Sequence, residues 1–468
     1  MKAINYTMRI LLTTLLGISL LACIKEPPEA LFTVDSVSGN SPLTVTFTNT
    51  STFAESYHWD FGDGSTSNEE NPVHTFNYSY ENEQADFTVT LEATNKKQKS
   101  SSFTETITAN KYIQSNNPKV TELDIMVDTA VMNWYDNALM SAMSIALIDG
   151  EEVNIFHYGE TDYGNNKLPD DNTLYEIASV TKTFTGIAAI HWLNANSISL
   201  DDPVKDYLPA KTAPGLSKDG VDVTFRHILN HTSGLPFDPF NLTVNFDSTA
   251  TYNHLEQRGL GMTPGTLPIN EDAYWNSHYS TFSFGLLGTL LERNKQQSLQ
   301  NIFKETILNP FGMSLTTLYD VQSLSNVAYS HTNTGEIFMA PATMTGLYGG
   351  GWLKSNINDM VKYAKGIMNA DANTDLGMAI IKSFEDQYEL SSLGFNLAFS
   401  QGLPWHHHFI ANSSKITTHT GAGPGCRTIF SVDLENQKAI IILSSSNTSN
   451  ENPLPFKAFG LWQYYFSQ

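Results

Sequence analysis

Cysteine is nearly absent from this 468-residue chain, which contains only Cys23 and Cys426. A fold stabilised by several disulfide bonds is therefore excluded. Basic residues are also scarce, since 26 Lys and Arg stand against 48 Asp and Glu and give a formal net charge of −22. A chain with this charge repels the phosphates of nucleic acids, and no basic patch with interleaved aromatic residues is present. The composition therefore argues against a nucleic-acid partner.

Internal repeats and low-complexity segments are also lacking. The hydrophobic fraction is 41%, which is ordinary for a globular protein and sufficient for a sizeable core. A length of 468 residues allows two or three domains. The sequence therefore predicts a multidomain globular protein.

The first 23 residues have the pattern of a targeting segment. Lys2 and Arg9 provide positive charge, and the apolar run over residues 10–21 is short for a membrane span. The run ends in Leu-Leu-Ala-Cys, with the cysteine at position 23. This ending resembles the lipobox of bacterial lipoproteins; an ordinary signal peptide with a chance cysteine is the alternative interpretation.

The lipobox resemblance implies that Cys23 is lipidated and becomes the new N-terminus, with residues 24–29 as a tether. The only remaining thiol is then Cys426, so no disulfide can form within the chain, and we expect a buried side chain there. The expected location is the cell envelope, at the periplasmic or surface face of the outer membrane.

Residues 30–110 have the composition and alternation of a β-rich domain. Short runs such as Leu43–Phe47 and Phe87–Leu91 alternate with period two, as half-buried strands do. Residues 57–64 read YHWDFGDG and residues 71–76 read NPVHTF. Both segments resemble PKD domains, which implies an immunoglobulin-like β-sandwich used as a spacer or as a contact for protein or carbohydrate.

Within the PKD-like segment, we expect the aromatic and acidic residues to be structural. Trp59 and Phe61 are predicted to fill the core, and Asp60 and Asp63 to shape a turn. Calcium binding by the two aspartates is an alternative interpretation.

Residues 111–119 are predicted to be a linker, and a different pattern begins at residue 120. Residues 123–139 predict a helix, and residues 143–148 a buried strand that a turn at 149–150 joins to a partner strand over 153–158. An apolar helix is predicted to close the chain over residues 455–466.

Ser179 and Lys182 lie three residues apart at the start of another predicted helix. Phe184, Ile187 and Ala188 define one face of that helix, and the three-residue spacing places Ser179 and Lys182 on the same side. A serine hydroxyl needs a nearby base to act as a nucleophile, and a desolvated lysine can serve. Ser-x-x-Lys is common by chance, so the other motifs decide its meaning.

Several motifs follow this pair in a fixed order. They are Asp202-Pro203, residues 224–236 (TFRHILNHTSGLP), Pro264-Gly265-Thr266, residues 279–288 (YSTFSFGLLG), Gly349-Gly350-Gly351-Trp352 and His419-Thr420-Gly421. The ordered set resembles the β-lactamase-related serine hydrolases, which include class C β-lactamases, penicillin-binding proteins, D-peptidases and esterases. The resemblance covers residues 120–468 and implies an α/β fold with an antiparallel sheet flanked by helices, plus a helical lobe.

The resemblance also implies roles for individual residues. Ser179 matches the acylated nucleophile, Lys182 its partner, and Tyr279 the tyrosine of the family's Tyr-x-Asn motif. The His419-Thr420-Gly421 segment matches the Lys-Thr-Gly motif, in which His is a frequent variant. The backbone N–H groups of Ser179 and Ala422 match the oxyanion hole.

Electrostatics agree with these roles, since nearby cations favour a phenolate at Tyr279 and make it a base that competes with Lys182. Thr281, Thr420 and Gly421 are predicted to contact the substrate. Thr281 replaces the Asn of Tyr-x-Asn and offers a hydroxyl in place of an amide. A literal Tyr-x-Asn occurs at Tyr274, which remains the alternative catalytic tyrosine.

Other histidines in the chain receive structural interpretations. His227 and His231 are predicted to belong to the scaffold. The run His406-His407-His408 resembles a metal tract, but an extended segment places only two of its side chains on one face, and no carboxylate cluster is nearby in sequence. We expect it in an exposed loop, and we expect residues 237–262 and 390–415 to form loops that wall the pocket.

The sequence thus predicts a serine hydrolase that acts on an ester or amide through an acyl-enzyme. Its substrate is expected to be a small molecule or peptide, such as cell-wall peptide, and the resemblance implies no metal and no cofactor. D-peptidase or carboxypeptidase-like activity and esterase activity are favoured. A true β-lactamase and a non-catalytic binding lipoprotein that uses its PKD domain are the alternatives.

Overall fold

The computed structural model describes most of the chain from residue 27 onwards. The described residues are 27–41, 43–76, 84–110, 113–134, 140–162, 165, 167–208, 215–237, 260–268, 274–319, 321, 325–331, 337–338, 348–390, 398–409, 415–423, 425–446, 461 and 464–466. The predicted targeting segment and Cys23 lie outside them, as does most of the predicted closing helix. The chain divides into two compact units, Met1–Tyr112 and Ile113–Gln468.

The described part of the first unit consists of strands in two sheets. The strands are β1 (Phe32–Val34), β2 (Ser38–Asn40), β3 (Leu43–Asn49), β4 (Ser56–Asp60), β5 (Thr66–Ser67), β6 (Val73–Phe76), β7 (Gln84–Thr94) and β8 (Ser100–Asn110). One sheet has the order β1-β3-β6 and the other the order β2-β8-β7-β4-β5. The predicted β-sandwich is confirmed.

Aromatic residues fill the core of this sandwich, because alternate residues of each strand point inward. Trp59 and Phe61 are both buried, as predicted. The turn between them and β5 is held by carboxylates: Gly62 N–H donates to Asp60 Oδ1 and Ser65 N–H donates to Asp63 Oδ1, each at 2.9 Å. The two aspartates therefore shape the turn.

The second unit contains the remaining strands of the described chain. They are β9 (Met140–Asp149), β10 (Glu152–Gly159), β11 (Tyr175–Glu176), β12 (Ser217–Lys218), β13 (Val221–Asp222), β14 (Ser330–His331), β15 (Ile337–Phe338), β16 (Lys354–Ser355), β17 (Tyr388–Leu390), β18 (Ala398–Gln401), β19 (His406–Phe409), β20 (Lys415–Gly423), β21 (Cys426–Asp433) and β22 (Lys438–Ser446).

Helices of the second unit surround these strands. The α-helices are α1 (Glu122–Trp134), α2 (Thr181–Ala195), α3 (Phe225–Leu229), α4 (Thr281–Lys295), α5 (Leu299–Phe303), α6 (Asn309–Phe311), α7 (Tyr348–Gly351), α8 (Ile357–Met368) and α9 (Asp375–Ser383). Shorter 3₁₀ turns span Ala178–Val180 and Val204–Tyr207, and π-helical turns span Tyr274–His278 and Lys304–Leu308.

The centre of the second unit is an eight-stranded sheet with the order β10-β9-β22-β21-β20-β19-β18-β17. Each neighbouring pair in it is antiparallel. One face packs on a large cluster that includes α2, α4, α8 and α9, and the other face packs on α1 and residues near the C-terminus. The predicted antiparallel sheet with helices on both faces is confirmed.

The segment predicted as a linker is partly bonded to the second unit. Asn117 Nδ2 donates to the His157 carbonyl and the His157 N–H donates to Asn117 Oδ1, both at 2.8 Å. The Gly159 N–H donates to the Gln114 carbonyl at 2.8 Å, and Ile113 is buried in the core. Residues 113–117 therefore lie against the edge of the sheet at β10.

Within the part of the chain that the structure describes, no helix is both long enough and apolar enough to cross a bilayer.

Candidate active site

The predicted nucleophile lies in a tight turn between β11 and α2. Ala178 has φ +42°, a left-handed conformation that is strained for a residue with a side chain. The turn is fixed by Thr181, whose Oγ1 donates to the Ala178 carbonyl at 2.6 Å and accepts from the Leu353 N–H at 3.1 Å. Ser179 is consequently presented half-buried at the start of α2.

Lys182 is fully buried one turn further along, and its amine contacts three oxygens. Nζ donates to Ser179 Oγ at 3.0 Å, to Thr281 Oγ1 at 3.2 Å and to the Gly350 carbonyl at 2.5 Å. An ammonium has three N–H donors, so three acceptors around it match its charged form. The Gly350 carbonyl can only accept, so Lys182 is the donor in that contact. The geometry thus favours a charged Lys182 in the resting site.

The glycine run in α7 lets its backbone come this close. A Cβ on Gly350 would lie 2.7 Å from the Thr281 carbonyl oxygen and 2.8 Å from its Cγ2, and a Cβ on Gly349 would collide with the Phe284 carbonyl. Glycine is therefore required where α7 crosses α4, and this close packing brings the Gly350 carbonyl to Lys182.

Tyr279 is buried between Lys182 and His231. Its ring stacks on His231 at a centroid distance of 4.4 Å, and Lys182 Nζ lies 4.9 Å from the ring centroid. Burial raises the pKa of Tyr279 above its ordinary value, although a side-chain hydrogen bond with Ser179 acts in the opposite direction. Tyr279 is therefore a neutral phenol at neutral pH. The expectation of a phenolate is wrong for the resting site, because burial dominates its pKa.

His419 lies on β20 and is 1% exposed. Its Nδ1 is 2.8 Å from the Thr420 carbonyl oxygen, which only accepts, so Nδ1 carries the proton. Burial and the Lys182 charge lower the pKa of His419 to about 3, so the ring is neutral and its Nε2 is an acceptor. Among the described residues, that Nε2 has no hydrogen-bond partner.

Strand β20 passes directly against the Ser179 turn. A Cβ on Gly421 would collide with the Ile177 carbonyl, and a Cβ on Gly423 would lie 3.7 Å from the Ala178 Cβ. The predicted oxyanion-hole residue Ala422 is exposed and lies between these two glycines. The structure thus brings Ser179, Lys182, Tyr279, Thr281 and the 419–422 segment together in one site.

The alternative tyrosine, Tyr274, has a different environment. Its hydroxyl lies 2.9 Å from His406 Nε2, and its ring centroid is 6.0 Å from that of Tyr279. Ser179 lowers the pKa of Tyr279 and does not act on that of Tyr274, so Tyr279 is the tyrosine beside the nucleophile. Tyr274 therefore supports the wall behind Tyr279.

The prediction that His406–His408 forms an exposed loop is wrong. These residues form β19, which pairs with β18 on one side and β20 on the other, so most of residues 398–409 belong to the central sheet. His406 and His407 are buried. His406 stacks on His419 at a centroid distance of 5.2 Å. The aromatic residues Trp405 and Phe409 on either side of the histidines were the available signal.

His231 contacts the site directly although its local sequence indicated scaffold. Its Nδ1 accepts from the Ser280 N–H at 3.1 Å, so a neutral ring carries its proton on Nε2. Burial, followed by the charge of Lys182, lowers the pKa of His231 far below its usual range. His227 does belong to the scaffold, since it forms a capping box with Thr224 at the start of α3.

A second Ser–His–Asp array lies away from this site. Ser144 Oγ is 2.9 Å from His157 Nδ1 and 2.8 Å from the Tyr175 hydroxyl, and His157 Nε2 is 2.9 Å from Asp171 Oδ1. Ser144 is fully buried, so no substrate can reach its hydroxyl. We interpret this array as support for β11, which leads to the Ser179 turn.

Metal-ligating side chains do not converge in the described ranges, where no group of three or more His, Cys, Asp or Glu residues is arranged to hold an ion.

Comparison with protein families agrees with this geometry. The sequence model of the family described as Beta-lactamase matches residues 136–455. The chain belongs to the β-lactamase family. A second model, described as PKD domain, matches residues 25–110 of this β-lactamase-family protein. Members of the family are serine hydrolases, peptidases or esterases, so the protein is an enzyme and not only a binding module.

Individual relatives of this β-lactamase-family protein are named for different activities. A β-lactamase of Yersinia enterocolitica is 27% identical over 298 residues, 61% of this chain and 70% of that protein. Penicillin-binding protein 4* of Bacillus subtilis is 24% identical over 333 residues, 66% of this chain and 69% of that protein. The D-alanyl-D-alanine-carboxypeptidase/endopeptidase AmpH of Escherichia coli is 28% identical over 180 residues, 38% and 45% of the two chains.

The fold is shared with a solved β-lactamase/D-alanine carboxypeptidase of Pseudomonas syringae. The TM-score is 0.61 at 17% identity, over 74% of this chain and 99% of that one.

Proposed function

We propose that this protein hydrolyses an ester or amide through an acyl-enzyme on Ser179. One observation supports the proposal above the others. The Ser179 hydroxyl, the Lys182 amine and the Tyr279 phenol lie close together at the turn between β11 and α2. The Ser179 and Ala422 N–H groups are the proposed oxyanion hole, and one such donor typically contributes a factor of about 10²–10³ in rate.

The proposed chemistry has two steps. Ser179 Oγ forms a bond to the carbonyl carbon, the bond to the leaving alcohol or amine breaks, and the Ser179 proton passes by way of the Lys182–Tyr279 pair to the leaving group. Water then adds to the acyl carbon, the bond to Ser179 breaks, and the carboxylic acid leaves as Ser179 regains a proton. Because Lys182 is charged and Tyr279 neutral at rest, one of them must lose a proton before it can act as base.

Covalent labelling tests the nucleophile. Reaction with a fluorophosphonate, followed by intact-mass measurement, should add one phosphonyl group to the wild-type chain and none to Ser179→Ala. Ser144→Ala is the matched control, because that serine is buried in the second Ser–His–Asp array, and it should be labelled like the wild type. No adduct on the wild type, or an equal adduct on Ser179→Ala, would remove the proposal.

For the acyl donor, we propose a D-peptide or a simple ester rather than a β-lactam. The Thr281 hydroxyl accepts from Lys182, and Thr281 has no side-chain amide to offer a substrate amide. His419 is neutral, whereas the corresponding lysine of the family motif is a cation. Parallel assays with nitrocefin, a short-chain nitrophenyl ester and a peptide ending in D-Ala-D-Ala test this preference. The ester or the peptide should be hydrolysed faster than nitrocefin, and fastest turnover of nitrocefin would contradict the proposed acyl donor.

We also propose that Cys23 is lipidated and anchors the enzyme to the cell envelope, which gives it access to cell-wall peptide. The support is the Leu-Leu-Ala-Cys sequence at the end of the apolar run. Metabolic labelling with an alkyne fatty acid should mark the wild type and not Cys23→Ser, and labelling of both would contradict the anchor.

A further inference from the structure

One partly buried carboxyl near the site takes no part in the proposed mechanism. Glu176 is the second residue of β11, three positions before Ser179. Its Oε1 lies 3.8 Å from the position that a Cβ on Gly423 would occupy, and Gly423 directly follows Ala422 on β20. The carboxyl therefore lies close to the strand that carries one proposed oxyanion donor, and its residue leads into the turn that carries the other.

Few charged groups face this carboxyl among the described residues. Lys354 is opposite it in the β11–β16 pair and is the cation that favours its ionised form. On β21, the Cys426 thiol is buried beside it, and the Arg427 guanidinium donates to the Gly423 and Cys426 carbonyls at 2.6 and 2.8 Å. Desolvation disfavours a carboxylate at this position.

We propose that the charge state of Glu176 controls the oxyanion site. The site is most effective when the Glu176 carboxyl is neutral, and it is weakened when that carboxyl ionises. The inference depends on the proposed function, because it assumes that negative charge develops between the Ser179 and Ala422 N–H groups. A carboxylate beside Gly423 repels that charge, and the repulsion is screened less in a partly buried site than in water.

The protonation state changes in the physiological range. Burial raises the pKa of Glu176 to about 7, and the charge of Lys354 acts in the opposite direction. Because the pKa of the folded protein is raised, the neutral form dominates below about pH 7 and the ionised form above it. The enzyme should therefore lose oxyanion stabilisation as the pH rises through this value.

The test measures the rate of fluorophosphonate labelling of Ser179 against pH, in the wild type and in Glu176→Gln, which is neutral at every pH. The wild-type rate divided by the Glu176→Gln rate should fall about tenfold between about pH 5 and pH 9. Glu385→Gln, at an exposed carboxyl paired with Lys382, is the control and should give a constant ratio. A constant ratio for Glu176→Gln would overturn the inference.

Two further measurements test the inference in other ways, one of them with a variant other than Glu176→Gln. Lys354→Met removes the opposing cation and should move the fall in rate to higher pH, and an unchanged profile would contradict the inference. Thermal unfolding adds a readout without activity: the stability from the neutral carboxyl is fully present below about pH 4 and is lost as the pH rises through about 7. The Tm of the wild type relative to Glu176→Gln should fall over this range.

The outcomes separate the two proposals. A wild type that is not labelled at Ser179 at any pH overturns the proposed function and the inference together. Labelling that occurs with an unchanging ratio overturns the inference alone.

Discussion

At the level of single residues, the hydroxyls of Tyr279 and Tyr274 have different partners. Tyr279→Phe keeps the stacking on His231 and removes only the hydroxyl beside Ser179, so the labelling rate should fall by about 10²–10⁴ with little change in Tm. Tyr274→Phe removes a hydrogen bond to His406 and should cost about 1 kcal/mol in the free energy of unfolding while the labelling rate is largely kept. Rate measurements and thermal melts of the two variants check this, and a larger rate loss for Tyr274→Phe would exchange their roles.

Single residues also show what local sequence can and cannot predict. The contact between Ser179 and Lys182 is predictable from the sequence, because the two residues are three positions apart and helical spacing alone brings them together. The place of His231 in the site is not predictable from the sequence. Its contact with Tyr279 joins positions 48 residues apart, and nothing near His231 in the sequence signals that contact. Long-range contacts of this kind are set by the tertiary fold.

At the level of elements, the crossing of α7 and α4 determines where the Lys182 amine is held. Gly350→Ala places a Cβ 2.7 Å from the Thr281 carbonyl oxygen and should separate the helices, with a loss of about 1–3 kcal/mol in stability and at least a tenfold loss in labelling rate. Gly261→Ala is the control, because the nearest atom to its Cβ is the Gly234 carbonyl oxygen at 3.5 Å. Thermal melts and labelling rates of both variants test this, and a fully active Gly350→Ala would show that the crossing tolerates a side chain.

Elements with a strong local pattern were predictable. The β9–β10 hairpin and helix α2 follow directly from period-two and period-3.6 apolar patterns. Strand β19 was not predictable, because three consecutive histidines suggest an exposed segment. Their burial depends on β18 and β20, whose pairing is a property of the whole sheet.

At the scale of the whole molecule, the boundary between the two units has an energetic consequence. A chain that begins at residue 113 should label at the same rate as the full chain, since the second unit has its own core. A chain that begins at residue 120 loses burial of Ile113 and the Asn117–His157 bonds, and should be less stable by about 2–4 kcal/mol. Urea unfolding of the two chains checks the difference, and equal midpoints would show that residues 113–117 contribute nothing.

The order of the central sheet has a consequence for biosynthesis. Strand β9 is flanked by β10, its neighbour in sequence, and by β22, which pairs Lys438 with Asp149 across 289 residues. A ribosome therefore releases the whole Ser179 helix long before the partner strand that completes the sheet beneath it. Closing such a long loop is slow, and the unpaired edge of β9 is open to wrong partners in the meantime. The nascent enzyme should consequently depend on holding chaperones until β22 has emerged.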